Sequence, residues 1–194
     1  LIAQGLSTSL GQQVIVENRA IAAVDVVAKA PPDGYTLLFY TSVLWLSPYL
    51  RDGLTWDPVR DFAPVMLATN SPNIVVVHPS LPVKSMRELI ALAKARPGEL
   101  NYSTSSPGSG NHLAAELFRV MADVKVVRIN YKGTGSALNS LASGEVQLSF
   151  PSAGSVMPHL RAGRMRALAV TSAQPSALAP DLPTVAAAGL PGYE

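Results

Sequence analysis

Residues Ser103–Asn111 (STSSPGSGN) are rich in hydroxyls and glycine, and they separate a strand-like run, LNYS, from a run with apolar residues at helical spacing, HLAAELFRVMAD. The first turn of a helix has unpaired backbone N–H groups and the positive end of the helix dipole, so an anion can bind there without Arg or Lys. The pattern indicates a carboxylate or phosphate site. The alternative is that Ser105, Ser106 and Ser109 only cap the helix.

Three further loops of small and polar residues follow strand-like runs, and each leads into a predicted helix. In an α/β protein, ligands bind outside the carboxyl ends of the strands, so the loops are expected to converge. Convergence would give a pocket rich in hydroxyls and backbone donors, with Lys132 as its one cation. The three loops are Tyr40–Ser42, Tyr131–Ser136 and Pro151–Ser155.

Catalytic and metal sites have less support. Ser105 or Ser109 with His112 could form a nucleophile and base, but the loop lacks the G-x-S-x-G turn and no acid is placed to orient His112. We expect His112 to be a first-turn helix residue. The three histidines have no metal-ligand spacing, and no loop has a nucleotide-binding fingerprint, so the sequence predicts no metal and no cofactor.

Composition excludes several other classes. The chain has 194 residues, of which 48% are hydrophobic and 14% charged, so it can bury a sizeable core. The net charge is +2 with scattered cations, which argues against a nucleic-acid surface. No apolar run approaches the roughly 20 residues that a membrane span needs. There is no cysteine, so disulfides and thiolate metal sites are excluded.

The elements that would position these loops alternate regularly. Ser85 and Glu88 form a capping box that starts the helix SMRELIALAKA, and Gly144 and Gly163 end two further helices. This alternation predicts an α/β fold with a mostly parallel sheet. The strand candidates are Leu37–Tyr40, Ile74–His78, Leu100–Ser103, Val126–Asn130, Val146–Phe150 and Ala167–Thr171.

We expect this sequence to lack elements of the fold at both ends. The first residues predict the second half of a helix that closes at Gly11 and is followed by a strand at Val14–Val16. We therefore expect a strand upstream of Leu1 and a further strand after Glu194.

The chain contains, in order, the runs VIVENRA, DGYTLLFYTS, WDPVRDFAPV, LPVKSMRELIALAKARPGELNY, GSGNHLAAELF, VVRINYKGTGSALNSLASGEVQLSF, PHLRAGRMRALAVTS and LPTVAAAGLPGYE. Together these runs resemble the substrate-binding proteins of tripartite tricarboxylate transporters, also called Bug receptors. The resemblance implies a type II periplasmic binding-protein fold, α/β, with two α/β domains and a ligand cleft between them. We place the first domain at residues 1–100, and the second domain with the start of the return to the first at residues 101–194.

The resemblance also implies a function and a binding site. The function is non-catalytic: a periplasmic, monomeric receptor binds a small organic carboxylate and delivers it to a membrane permease. Closure of two domains about a hinge would enclose the ligand. The implied ligand-binding residues are Thr41, Ser42, Ser105, Ser106, Gly108, Ser109, Asn111, Tyr131, Lys132, Gly133, Thr134, Ser152, Ala153 and Ser155.

Two departures from the family pattern limit this prediction. The family continues after ENR with a Gly-rich run, where this chain has the bulkier Ala20–Val24, and it often has Asp where this chain has Pro151. A plain carboxylate is therefore expected rather than an amino acid. The alternatives are a solute-sensing module of a signalling system and a serine hydrolase.

Overall fold

The computed structural model describes residues 2–194, and within them it has seven helices and five strands. In chain order the elements are α1 (Ile2–Leu10), α2 (Ala22–Ala28), α3 (Val43–Leu50), β1 (Ile74–Val77), α4 (Met86–Ala95), β2 (Asn101–Thr104), α5 (Gly110–Met121), β3 (Val127–Asn130), α6 (Thr134–Ala142), β4 (Leu148–Ser149), α7 (Ala153–Arg161) and β5 (Arg166–Val170).

The chain divides into two compact units. The first contains the described residues up to Tyr40 together with Leu44–Val65, and the second contains Thr41–Val43 and Met66–Glu194. The sheet and the helices α4 to α7 all belong to the second unit. The predicted domains, 1–100 and 101–194, stay a prediction; in this chain the residues on both sides of position 100 are buried in one apolar cluster.

The five strands form one open sheet in the order β3-β2-β4-β1-β5. β2 is parallel to β3 and β4, whereas β1 is antiparallel to both β4 and β5. β1 therefore runs opposite to the other four strands, and the prediction of a mostly parallel sheet is corrected for β1 alone. All four residues of β1 are buried, and such a run does not encode direction, which pairing with distant strands decides.

Successive side chains of the strands enter apolar clusters on opposite faces of the sheet. In β1, Val75 and Val77 belong to one cluster, while Ile74 and Val76 belong to the other. Helices α4 and α5 pack into the first cluster, and α6 and α7 pack into the second. Helices thus cover both faces, as the predicted α/β class requires.

Local sequence signals set the helix ends. The Glu88 N–H donates to the Ser85 hydroxyl at 3.2 Å, which confirms the start predicted for α4. Gly144 and Gly163 have φ values of 80° and 66°, the left-handed conformation that ends α6 and α7 as predicted. No helix described within residues 2–194 is both long enough and apolar enough to span a bilayer.

The first unit has a small core of its own, formed by Val24, Leu44 and Trp56. The rings of Trp56 and Phe62 meet edge to face, with centroids 6.2 Å apart. α1 ends at Leu10, and Gly11 follows with a φ of 63°, which confirms the predicted helix end.

The two strands predicted in the first unit, Val14–Val16 and Leu37–Tyr40, are wrong, because the structure assigns neither as a strand. A strand needs a neighbour for its backbone N–H and C=O groups, and neither segment forms a ladder with another among the described residues. Leu37 and Phe39 are exposed, while Leu38 and Tyr40 pack against the core. Exposed and packed side chains therefore alternate along Leu37–Tyr40, but the segment has no partner strand among the described residues.

Candidate functional site

The carboxyl ends of β3, β2 and β4 lie side by side, because these strands are adjacent and parallel. α6, α5 and α7 begin directly after them, so three helix N-termini open at this edge, which we call the carboxyl edge. None of these helices has an acidic residue in its first turn. Three positive helix ends without a first-turn carboxylate favour an anion at this edge.

The hydroxyls after β2 are bonded to one another and to Asn111. The Ser105 hydroxyl lies 3.3 Å from Asn111 Oδ1 and 3.5 Å from Ser109 Oγ. Ser109 Oγ lies 2.5 Å from the Ser106 carbonyl and also bonds Asn111 Oδ1. Each hydroxyl has a single proton, so these contacts compete, and a carboxylate could draw either proton toward itself.

Two backbone N–H groups at the start of α5 are free. Neither Gly110 nor Asn111 donates its N–H to any residue of the described chain, whereas the His112 N–H is bonded to Asn111 Oδ1 at 3.0 Å. The side chain of the N-cap residue, Ser109, caps no backbone N–H of the helix. Gly110 is exposed, so its N–H is available to a ligand oxygen.

Gly108 links Ser42, from the predicted Tyr40–Ser42 loop, to the loop that precedes α5. Its carbonyl accepts a hydrogen bond from the Ser42 hydroxyl at 3.1 Å, and its N–H donates to His112 Nδ1 at 3.0 Å. Thr41 is exposed, and its Oγ1 accepts weakly from the Val43 N–H at 3.4 Å. Ser42 and Thr41 therefore lie beside the start of α5 in the same unit.

The loop after β3 offers backbone donors and one cation. The N–H groups of Thr134, Gly135 and Ser136 have no partner within residues 2–194, and Gly133 precedes them as the N-cap. Lys132 is exposed and forms no ion pair with any described residue. The Tyr131 ring packs against the core, and the Tyr131 N–H donates to the Thr104 carbonyl at 2.9 Å, so Tyr131 acts here as a support.

The loop after β4 has fewer free hydrogen-bond donors than the loops after β2 and β3, because most of its polar groups bond to one another or to the backbone. The hydroxyls of Ser152 and Ser155 lie 3.0 Å apart, and Ser155 Oγ also donates to the Ser152 carbonyl at 2.9 Å. Ala153 is fully buried, and its N–H donates to the Pro72 carbonyl at 2.9 Å. Ala153 therefore has no free donor, and the free first-turn N–H belongs to Gly154.

The structure does not bring His112 to a serine hydroxyl. Its Nδ1 faces the Gly108 N–H, and its Nε2 lies 2.5 Å from an Arg128 guanidinium nitrogen. Both ring nitrogens are thus occupied, and the described site has no base oriented toward Ser105 or Ser109. Within residues 2–194, no cluster of three or more His, Asp and Glu side chains is placed to hold a metal ion.

Asn73 is not among the predicted site residues, and it lies at the carboxyl edge because β1 is antiparallel. Its backbone bridges to Ser152, and its N–H donates to Thr171 Oγ1 at 3.0 Å. Its amide nitrogen is close to Gly110, 3.5 Å from where a Cβ on that glycine would lie. The Asn73 side chain bonds to no described residue, so it is a free donor and acceptor beside the start of α5. A polar residue directly before a buried strand was the available signal.

One groove lies away from this edge. It encloses about 440 Å³ and is lined by residues that include Leu81, Val83, Lys84 and Arg166. The Arg166 guanidinium donates to the carbonyls of Leu81 and Val83 at 3.2 and 2.9 Å. These hydrogen bonds stabilise the segment that contains Leu81 and Val83. None of the predicted site residues lines this groove.

Comparison with protein families gives a match along the whole chain. A family model described as "Tripartite tricarboxylate transporter family receptor" matches residues 1–194. The UPF0065 protein in the tcbD-tcbE intergenic region of Pseudomonas sp. (strain P51) is 36% identical over 100% of this chain and 59% of its own length. Protein BugT of Bordetella pertussis is also 36% identical, over 100% of this chain and 61% of its own. The chain therefore spans about three fifths of the length of these relatives.

Solved structures agree with the fold. Rpa4515 of R. palustris, solved with adipate, has a TM-score of 0.94 and 40% identity, covering 100% of this chain and 66% of its own. MatC from Rhodopseudomonas palustris, with bound malate, has a TM-score of 0.86 and 29% identity over 100% and 67%. The periplasmic binding protein BugD has a TM-score of 0.88 and 28% identity over 100% and 66%. The predicted type of fold is confirmed.

Proposed function

Because the chain belongs to the tripartite tricarboxylate transporter family of receptors, we propose that it binds a small organic dicarboxylate at the carboxyl edge of its sheet. In this role it is a periplasmic receptor that hands the ligand to a membrane permease of the same transporter type. The family is one of receptors, and BugD is described as a periplasmic binding protein, so binding rather than catalysis is the function.

The observation that carries the proposal is the set of three helix N-termini without a first-turn acid. Hydrogen bonds to a charged group contribute about 1.5–3 kcal/mol each, and the dipole of a helix adds about 0.3–1 kcal/mol. Two free N–H groups on α5 and three on α6 are enough donors for two carboxylate groups. A dicarboxylate is thereby favoured over a single carboxylate.

Two further groups suit a carboxylate ligand. Lys132 supplies the one unpaired cation of the predicted loops, and the Asn73 amide supplies a neutral donor beside Gly110. Selectivity among dicarboxylates then depends on the distance between the α5 and α6 donors and on the hydroxyls of Ser105 and Ser109. Relatives of this chain have been solved with adipate and with malate, so these two acids are the first probes to use.

The test is isothermal titration of the purified protein with adipate and malate, with adipamide as the control. Adipamide has the same carbon chain as adipate but no charge, so it keeps the apolar contacts and loses the attraction of the helix ends. We expect one of the acids to bind and adipamide to bind at least about tenfold more weakly, the effect of 1.4 kcal/mol. Equal binding of adipate and adipamide, or no binding of either acid, would contradict the proposal.

A further inference from the structure

His112 lies in the first turn of α5 and is buried, 7% exposed. A donor faces each nitrogen of its ring: the backbone N–H of Gly108 is 3.0 Å from Nδ1, and the side-chain Nη1 of Arg128 is 2.5 Å from Nε2. A neutral imidazole has one acceptor nitrogen and one N–H, and neither a backbone N–H nor a guanidinium can accept. The Gly108 N–H is directed at Nδ1, so the neutral ring accepts this bond at Nδ1 and satisfies Gly108.

A second proton would leave both neighbours unsatisfied. An imidazolium has two N–H groups and no acceptor, so it would face the Gly108 N–H and the Arg128 cation with donors only. Burial lowers the pKa of His112, and the charge of Arg128 lowers it further. Glu116, one turn along α5, opposes this weakly, because its carboxylate already accepts from Tyr102 and Arg119. The pocket thus holds the ring neutral.

The same ring fixes a loop of the candidate site. Gly108 is buried with a φ of 79°, and it is bonded on both sides: its N–H to His112 and its carbonyl to the Ser42 hydroxyl. Loss of the His112 bond would leave a buried N–H unpaired and release the residue that holds Ser42. The position of Gly108 therefore depends on whether His112 is protonated.

We infer that His112 is a positioning residue that links proton uptake to the ligand site: the neutral ring holds Gly108 and the Ser42 loop in place, and the protonated ring releases them and weakens binding of a carboxylate. The link to affinity rests on the proposed function. The link between His112 and Gly108 stands on the hydrogen bonds alone. A receptor in which protonation of His112 weakens binding has a higher affinity for its ligand at neutral pH than at acidic pH.

The test is the adipate affinity at several pH values from 7.5 to 4.5 for wild type, His112→Gln and His78→Gln. Glutamine keeps an acceptor for Gly108 but does not titrate, and His78, which pairs with Ser80 at the end of β1, is a matched control. The titration of adipate itself is common to all three proteins. Below the pKa of His112, wild type and His78→Gln should lose up to about tenfold in affinity per pH unit relative to His112→Gln, the slope of one linked proton.

A second measurement separates this inference from the proposed function. The amide resonance of Gly108 and the ring resonances of His112 are followed by NMR over the same pH range without ligand. We expect the two to titrate together, at a pH below 6.5. A Gly108 resonance that does not follow His112, or an affinity profile equal in wild type and His112→Gln, would overturn the inference. Failure of adipate and malate to bind at pH 7.5, with Gly108 and His112 still titrating together, would reject the proposed function and leave the His112–Gly108 link standing.

Discussion

The hydroxyl of Ser42 donates a hydrogen bond to the carbonyl of Gly108 at 3.1 Å, although 66 positions separate the two residues in the sequence. The bond fixes the loop before α3 against the loop that opens α5, within one compact unit. The two loops are therefore expected to act as one surface toward a ligand.

Replacing Ser42 with Ala removes this bond and should weaken adipate binding about fivefold, because a hydrogen bond of this kind contributes about 1 kcal/mol. Titration calorimetry at pH 7.5 measures the change. Ser143→Ala is the control, since Ser143 also donates to a carbonyl, that of Ser140, but at the far end of α6. Equal losses in the two variants would show that the Ser42 bond has no special role in the site.

Asn111→Asp places a carboxylate in the first turn of α5. The acid should interact favourably with the helix N-terminus, adding about 0.3–1 kcal/mol to the free energy of unfolding. It should also repel a carboxylate ligand and lower its affinity by at least about tenfold, equivalent to 1.4 kcal/mol. Asn139→Asp, on the exposed face of α6, makes the same change in charge and should leave affinity within about twofold. Unchanged affinity in Asn111→Asp would place the ligand away from α5.

The stability of the ligand-free protein should fall between pH 7.5 and pH 5. Burial and Arg128 lower the pKa of His112 in the folded state below its ordinary value of 6.5. The unfolded chain therefore binds more protons in this range, and the free energy of unfolding decreases as the pH falls from 6.5 through the folded pKa. Urea unfolding at pH 7.5, 6.5 and 5 measures this slope. His112→Gln should reduce the slope, and an unchanged slope would mean that His112 does not titrate as described.

Local sequence signals predicted the start of α4 and the ends of α6 and α7, because these positions depend on nearby residues. Ser85 with Glu88, and Gly144 and Gly163, mark ends that hydrogen bonds or the left-handed conformation fix within one turn. The position of the Ser103–Asn111 segment between a strand and a helix was predicted for the same reason. This segment contains its own turn residues and directly precedes a helix with a clear apolar face.

Long-range pairing was not predictable in this way. Ile74–Val77 is buried on both faces, so nothing in it distinguishes a parallel from an antiparallel strand, and Asn73 was missed as a consequence. Leu37–Tyr40 has the alternation of a strand but no partner strand among the described residues. His112 and Arg128 come together only through the packing of α5 against the sheet. Each of these features depends on contacts between residues distant in the chain.

Adipate binding by Gly110→Pro and Gly110→Ala tests most directly whether the first turn of α5 binds the carboxylate. Ser109 is extended and Gly110 is the first residue of α5, a position that accepts proline, so the Pro variant loses one free N–H while the helix start is kept. The Ala variant keeps the N–H, and its Cβ would lie 3.5 Å from the Asn73 amide, an ordinary contact. We predict a loss of about tenfold or more for Gly110→Pro, the value of a hydrogen bond to a charged group, and a change within about threefold for Gly110→Ala. Equal affinity in Gly110→Pro and wild type would contradict the claim that the first turn of α5 binds the carboxylate.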